Sequence, residues 1–176
     1  MAMHYIEGNL LDAKQDYICH QVNCRGVMGT GVAKAIRNKW PRVYEDYKAK
    51  YDNAVNTVAN LDPIYGYKDA NDILLGSIQI VDIEYNYQYV INMFAQDGYG
   101  YDGKRYTSYD AFWMCLEEIR SYVGAGSTIA FPKNIGCCRG GANWKVISTM
   151  IEEVLGKDYE VFIYELEENK VCQQIT

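Results

Sequence analysis

The sequence predicts an α/β sandwich whose central sheet is mixed and largely parallel. Three observations predict it: short apolar runs with strand character, helical stripes lying between them, and glycine-containing loops where a strand gives way to a helix. Strands that alternate with helices join through right-handed crossovers, and such strands, buried on both faces, read as nearly continuous apolar runs.

Taken in order, residues 3–7 form a short first strand, ended by Gly8 and Asn9. Residues 17–22 form a second. Val32, Ala33, Ile36 and Trp40 then fall at helical spacing up to Pro41, which suits a first turn and opens another helix over 42–51. The polar stretch 53–71 reads as a long loop. Residues 73–83 and 88–94 read as strands around the turn Glu84-Tyr85-Asn86-Tyr87, followed by a Gly/Tyr/Asp-rich loop over 96–106. Phe112, Cys115, Leu116, Ile119 and Val123 trace a helix capped by Thr107 or Ser108. A buried strand at 128–131 leads into a second glycine-containing loop through Ala142. Asn143 caps a helix striped by Val146, Ile147, Met150, Ile151, Val154 and Leu155. A last strand covers 159–164 and a polar tail follows. Neither a repeat nor a linker interrupts the pattern, so one domain is expected over 1–176, with its core at about 3–165.

Composition narrows the function. Of 176 residues 49% are hydrophobic and 23% charged, the balance of a globular chain. The net charge of -6 argues against sequence-independent binding to nucleic acid, which needs a basic surface. Lys34, Arg37, Lys39 and Arg42 read as a solvated helix face. Without a membrane-length apolar run or a signal peptide, a cytoplasmic protein with no membrane partner is expected. The six cysteines form no C-x-x-C pair and the two histidines lie far apart, so no metal site is expected and the thiols read as reduced and packed.

In α/β sheets ligands bind beyond the carboxyl ends of strands, where loops enter helix N-termini. Two segments have that form, 23–31 and 134–141. Glycine there either makes a turn or lets backbone N–H groups approach an anion, and two such loops facing each other would grip a diphosphate. The first lacks the Gly-Lys-Ser/Thr ending of a P-loop and the spacing of the dinucleotide fingerprint.

IEGNLL (residues 6–11), CHQVNCRGVMGTGVAKAI (19–36) and FPKNIGCCRGGANW (131–144), in that order, resemble a macrodomain of the Appr-1-p processing family. The similarity is to the branch that contains the terminal ADP-ribose protein glycohydrolase and the antitoxins reversing DNA ADP-ribosylation. It implies a three-layer α/β/α fold that binds ADP-ribose or an ADP-ribosylated macromolecule, without a cofactor. On this resemblance Asn9 and Leu10 meet the adenine, with the Asn9 amide oxygen where the family has a carboxylate, and Asn23 meets the distal ribose. Gly26, Val27, Met28, Gly29, Thr30, Gly31 and Val32 form the first phosphate loop. Ile135, Gly136, Cys137, Cys138, Arg139, Gly140 and Gly141 form the second.

Two charged residues of that branch are missing: its aspartate falls on Gly140, and its lysine falls near Gln96. Hydrolysis of an ADP-ribose derivative would then rely on Asp97 as general base, with Asn23 placing the water, or on the bound diphosphate itself. A thiol, Cys24 or Cys138, is a further candidate, for phosphate removal from ADP-ribose 1''-phosphate. The alternative is a reader that binds without chemistry. Trp144 reads as a core anchor and His20 as a buried, satisfied histidine.

Overall fold

Six stretches rich in Ile, Val, Phe and Tyr pair into one sheet in the computed structural model, which describes residues 3–166. They are β1 (His4–Glu7), β2 (Tyr17–Asn23), β3 (Ile78–Asp82), β4 (Tyr89–Gln96), β5 (Thr128–Pro132) and β6 (Glu160–Glu165). The spatial order is β1-β6-β5-β2-β4-β3, and every pair is parallel except β3 with β4.

Helices α1 (Gly31–Lys39) and α2 (Pro41–Asn60) cover one face of this sheet. There Ile36, Val43 and Tyr47 pack against Ile18, Val22, Val90 and Phe94. On the other face lie α4 (Tyr109–Tyr122) and α5 (Trp144–Leu155), whose Phe112, Leu116, Ile147 and Ile151 meet Cys19, Ile91, Met93 and Phe131. The short α3 (Asn71–Leu74) adds Leu74 to the first face. Each fully buried side chain of this size contributes about 1.5–3 kcal/mol, whereas an exposed ion pair such as Lys48–Asp52 contributes about 0–1 kcal/mol. Apolar burial therefore holds the three layers together.

Two expectations are corrected. The segment 53–71 is not one loop, because α2 continues to Asn60: Val43, Tyr47, Tyr51 and Ala54 keep helical spacing, and Val43, Tyr47 and Ala54 are buried. A strand does not begin at Ile73 either. Asn71–Leu74 is helical, and Gly76, at φ 90°, turns the chain before β3 starts at Ile78. The capping expectations resolve onto Ser108 for α4 and Asn143 for α5, whose side chains accept from Ala111 N and Lys145 N. Of the expected polar tail, Glu165 closes β6 and residues 167–176 lie outside the described residues.

The connections decide where a ligand can sit. From β2 the chain runs through α1 and α2 on one face and reaches β3 and β4. It returns through α4 on the other face to β5, then passes through α5 to β6. The loops leaving β2 and β5 thus diverge to opposite faces from adjacent strands, which opens a crevice between them.

Candidate functional site

The loop after β2 is shaped by Tyr47, which rises from α2 and is fully buried. Its hydroxyl accepts from Val27 N at 2.9 Å and lies 2.9 Å from both the Asn23 carbonyl and Asn23 Oδ1, which share its proton. Asn23 Oδ1 also accepts from Arg25 N, and Asn23 Nδ2 donates to Val27 O at 2.8 Å. Gly26 turns at φ 74°, where any Cβ would stand 2.7 Å from the Tyr51 ring. The loop is rigid for these reasons before it meets anything. It ends at Thr30, whose side chain does not cap α1, so the first N–H groups of that helix stay available to an anion.

The loop after β5 is held from the other side. Thr107 Oγ1 donates to Gly136 O, and the Gly140 carbonyl accepts from both Tyr106 N and Thr107 N at 2.9 Å. A side chain at Gly140 would collide with Thr107 Oγ1 and the Gly136 carbonyl. The glycine that replaces the family's aspartate is therefore set by packing. Arg139 reaches across from this loop: its guanidinium donates to Thr30 Oγ1 and lies 4.6 Å from the Tyr99 ring centre and 5.6 Å from that of Tyr101.

Between the two loops lies a cavity of about 430 Å³, within the about 300–1,000 Å³ of small-molecule sites. Of the expected ligand residues, Asn23, Val27, Met28, Gly29, Thr30, Gly31, Val32, Ile135, Gly136, Cys138, Arg139 and Gly140 line it. Gly26, Cys137 and Gly141 lie in the same loops but not on its wall. Although the turn Leu10–Asp12 packs beside α1 and β5, Asn9 and Leu10 are not on the wall either. They follow the edge strand β1, which β6 separates from β5. Leu10 is buried in the core, and Asn9 Oδ1 accepts from Leu11 N at 3.0 Å, capping a short 3-10 turn.

No carboxylate of the described residues lines the cavity. Asp97 is off its wall, with Oδ1 buried and unpartnered. The thiols are poorly placed as nucleophiles. Burial pushes both Cys24 and Cys137 up to about 12, and Cys138, expected as a reduced thiol, is disulfide-bonded. Lys133 lines the wall but is paired with Glu165 at 2.6 Å. Three basic residues of α1 and α2 are engaged as well: Lys39 with Asp12, Arg42 with Asp46 and Glu84, Arg37 over Tyr44.

Sequence reasoning missed several wall residues. Gln96 and Gln21 stand side by side on adjacent strands, Gln21 Nε2 donating to Gln96 Oε1 at 2.7 Å and to Thr107 Oγ1 at 2.8 Å. The Gln96 amide donates in turn to Gly98 O, so the position of the family's lysine is tied down. His20, read as satisfied, is only half so: Nε2 faces Asn92 Oδ1 at 2.5 Å, while Nδ1 is buried without a partner. A polar residue at 20 and 21 inside an otherwise apolar strand was the available signal. Tyr99, on the wall from the tyrosine-rich loop, carried none.

No family model matches the chain. A stretch of 51 residues, 28% of this chain, is 37% identical to an ADP-ribose 1''-phosphate phosphatase of Aspergillus clavatus and spans 26% of that curated relative's length. Among solved structures, a protein of unknown function from Bacteroides thetaiotaomicron superposes with a TM-score of 0.74 at 27% identity, over 94% of this chain and 99% of that one. The macrodomain of Thermus aquaticus DarG superposes at 0.68, with 22% identity, over 93% of this chain and 98% of its own. The fold is a macrodomain. The same macrodomain fold occurs in Thermosipho africanus DarTG, whose structure is a complex with ADP-ribose: TM-score 0.70, 19% identity, 93% of this chain and 41% of that one.

Proposed function

We propose that this macrodomain binds ADP-ribose, free or carried by an ADP-ribosylated macromolecule, with the diphosphate between the loops after β2 and β5. One observation carries the reading: the uncapped start of α1 and the second loop face each other across a cavity whose wall, among the described residues, bears Arg139 and no carboxylate. Backbone N–H groups at a helix start suit a diphosphate, which a carboxylate on the wall would repel. The fold shared with the Thermosipho protein supports the choice of nucleotide.

Hydrolysis of an ADP-ribose derivative is the second reading, favoured by the stretch resembling the Aspergillus phosphatase. With Asp97 off the wall, Cys24 protonated and Cys138 disulfide-bonded, the described wall offers neither a carboxylate base nor a thiolate nucleophile. Activation of water would fall to the ligand's own phosphate oxygens, oriented by the Gln21 and Gln96 amides on the wall. Calorimetric titration with ADP-ribose tests the first reading, and saturable one-to-one binding is expected. Turnover assays on ADP-ribosylated protein, ADP-ribosylated DNA and ADP-ribose 1''-phosphate test the second. Absence of ADP-ribose binding overturns both readings, and binding without turnover of any substrate removes hydrolysis.

A further inference from the structure

Thr30 is the last residue of the first loop and lies exposed on the cavity wall, at the N-cap position of α1. A threonine at an N-cap turns its hydroxyl oxygen onto the amides of the helix's first turn, but Thr30 makes no such bond. The second loop takes that oxygen instead, since the Arg139 guanidinium donates to it across the crevice. Arg139 is itself held in place. Its guanidinium lies over the Tyr99 and Tyr101 rings, and its carbonyl accepts from Gly100 N at 3.3 Å. The next carbonyl, that of Gly140, is bound by Tyr106 N and Thr107 N. Among the described residues no carboxylate pairs with Arg139.

The chemistry of the two groups fixes the direction of this bond. A guanidinium has donors only, so Thr30 Oγ1 must accept from it, and the one hydroxyl proton points elsewhere. No acceptor among the described residues takes that proton. There is room beside it: a Cβ added at Gly31 would meet nothing within 4 Å, and one at Gly29 nothing nearer than 3.6 Å. Accepting from a cation also polarises the hydroxyl, which makes it a stronger donor.

We propose that Thr30 is a side-chain contact for the ligand, its hydroxyl donating to an oxygen of the diphosphate, and that Arg139 is the positioning residue that keeps the hydroxyl a donor. The proposal rests on the ADP-ribose reading and adds to it that the two loops are coupled at the ligand rather than acting one by one. A phosphate oxygen, which accepts and carries charge, suits this contact; a neutral donor does not.

The test is a double-mutant cycle on the whole chain, read by calorimetric titration with ADP-ribose. Thr30→Val keeps the shape of the side chain, and the extended backbone at φ -150° and ψ 165° suits a β-branched residue. The variant should therefore fold with an unchanged melting temperature. Its affinity should fall about tenfold or more, the loss of a hydrogen bond to a charged group. Thr30→Ser, which restores the hydroxyl, should bind within about threefold of the native protein. In the Arg139→Met background the change Thr30→Val should weaken binding by less than about threefold, because the hydroxyl is no longer held as a donor. Native affinity in Thr30→Val, failure of Thr30→Ser to restore it, or an equal loss in both backgrounds overturns the proposal while leaving ADP-ribose binding intact. If the native protein does not bind ADP-ribose at all, the parent reading fails instead. Should Arg139→Met not fold, the ³¹P resonances of bound ADP-ribose decide. One of them should differ between the native protein and Thr30→Val, and two unmoved resonances overturn the proposal.

Discussion

Gly29 stands at the middle of the first loop, where a Cβ would meet nothing nearer than Val27 Cγ1 at 3.6 Å. Gly29→Glu should therefore fold normally and place a carboxylate on the cavity wall. ADP-ribose affinity is expected to fall tenfold or more, about 1–4 kcal/mol of repulsion, with an unchanged melting temperature. An unchanged Kd would mean that the diphosphate lies elsewhere. Gly140 behaves oppositely. Gly140→Asp, which restores the family's acid, should cost about 1–3 kcal/mol of stability by overpacking against Thr107, read by denaturant unfolding. His20 titrates near 4 in the fold and near 6.5 when unfolded, so the unfolded chain binds more protons between those values. Stability should be full above about pH 6.5 and fall by about 3 kcal/mol as pH drops to 4. In His20→Phe that part of the acid loss should vanish from the pH dependence of unfolding.

At the scale of elements, α2 does more than cover the sheet, since its Tyr47 fixes the shape of the first loop. Tyr47→Phe leaves Val27 N and the Asn23 oxygens without this partner. The expected losses are about 1–3 kcal/mol in stability, measured by chemical denaturation, and a weaker ADP-ribose titration, because the loop must then be ordered on binding. Strand and helix identities were legible from apolar spacing and caps, as at Ser108 and Asn143. The length of α2 was not, because Asn53, Asn56 and Asn60 are polar and turn-favouring while the buried stripe through Ala54 continues beneath them. That Asn9 caps a short 3-10 turn packed beside α1 and β5 was equally hidden, because β1 lies at the edge of the sheet and local sequence does not contain strand order.

The whole molecule carries an excess of acid, yet its candidate site has none on its described wall. Binding should therefore depend on inward-facing backbone donors rather than on the surface field. The Kd for ADP-ribose is expected to change less than about threefold between about 50 and about 300 mM salt, because enclosed contacts are weakly screened; a steep salt slope in calorimetry would contradict this. That two loops frame one cavity was readable from two glycine-rich junctions. That a buried histidine in its wall keeps an unused lone pair was not, since the relay behind it draws on α2, β3, β4 and β2 together. This relay, in which the Asp46 carbonyl orients Gln79, Gln79 orients Asn92 and Asn92 Oδ1 faces His20 Nε2, fixes the tautomer of His20 from a distance. In Gln79→Leu the shorter anchor of the Asn92 amide is lost and only the 3.5 Å contact to Val43 O opposes its reversal. A reversed amide would drive the imidazole proton from one nitrogen to the other, turning the unpartnered ring nitrogen into a donor. A substitution on the edge strand β3 would then set the tautomer of a histidine two strands away, and the tautomer-sensitive nitrogen resonances of His20 would report it.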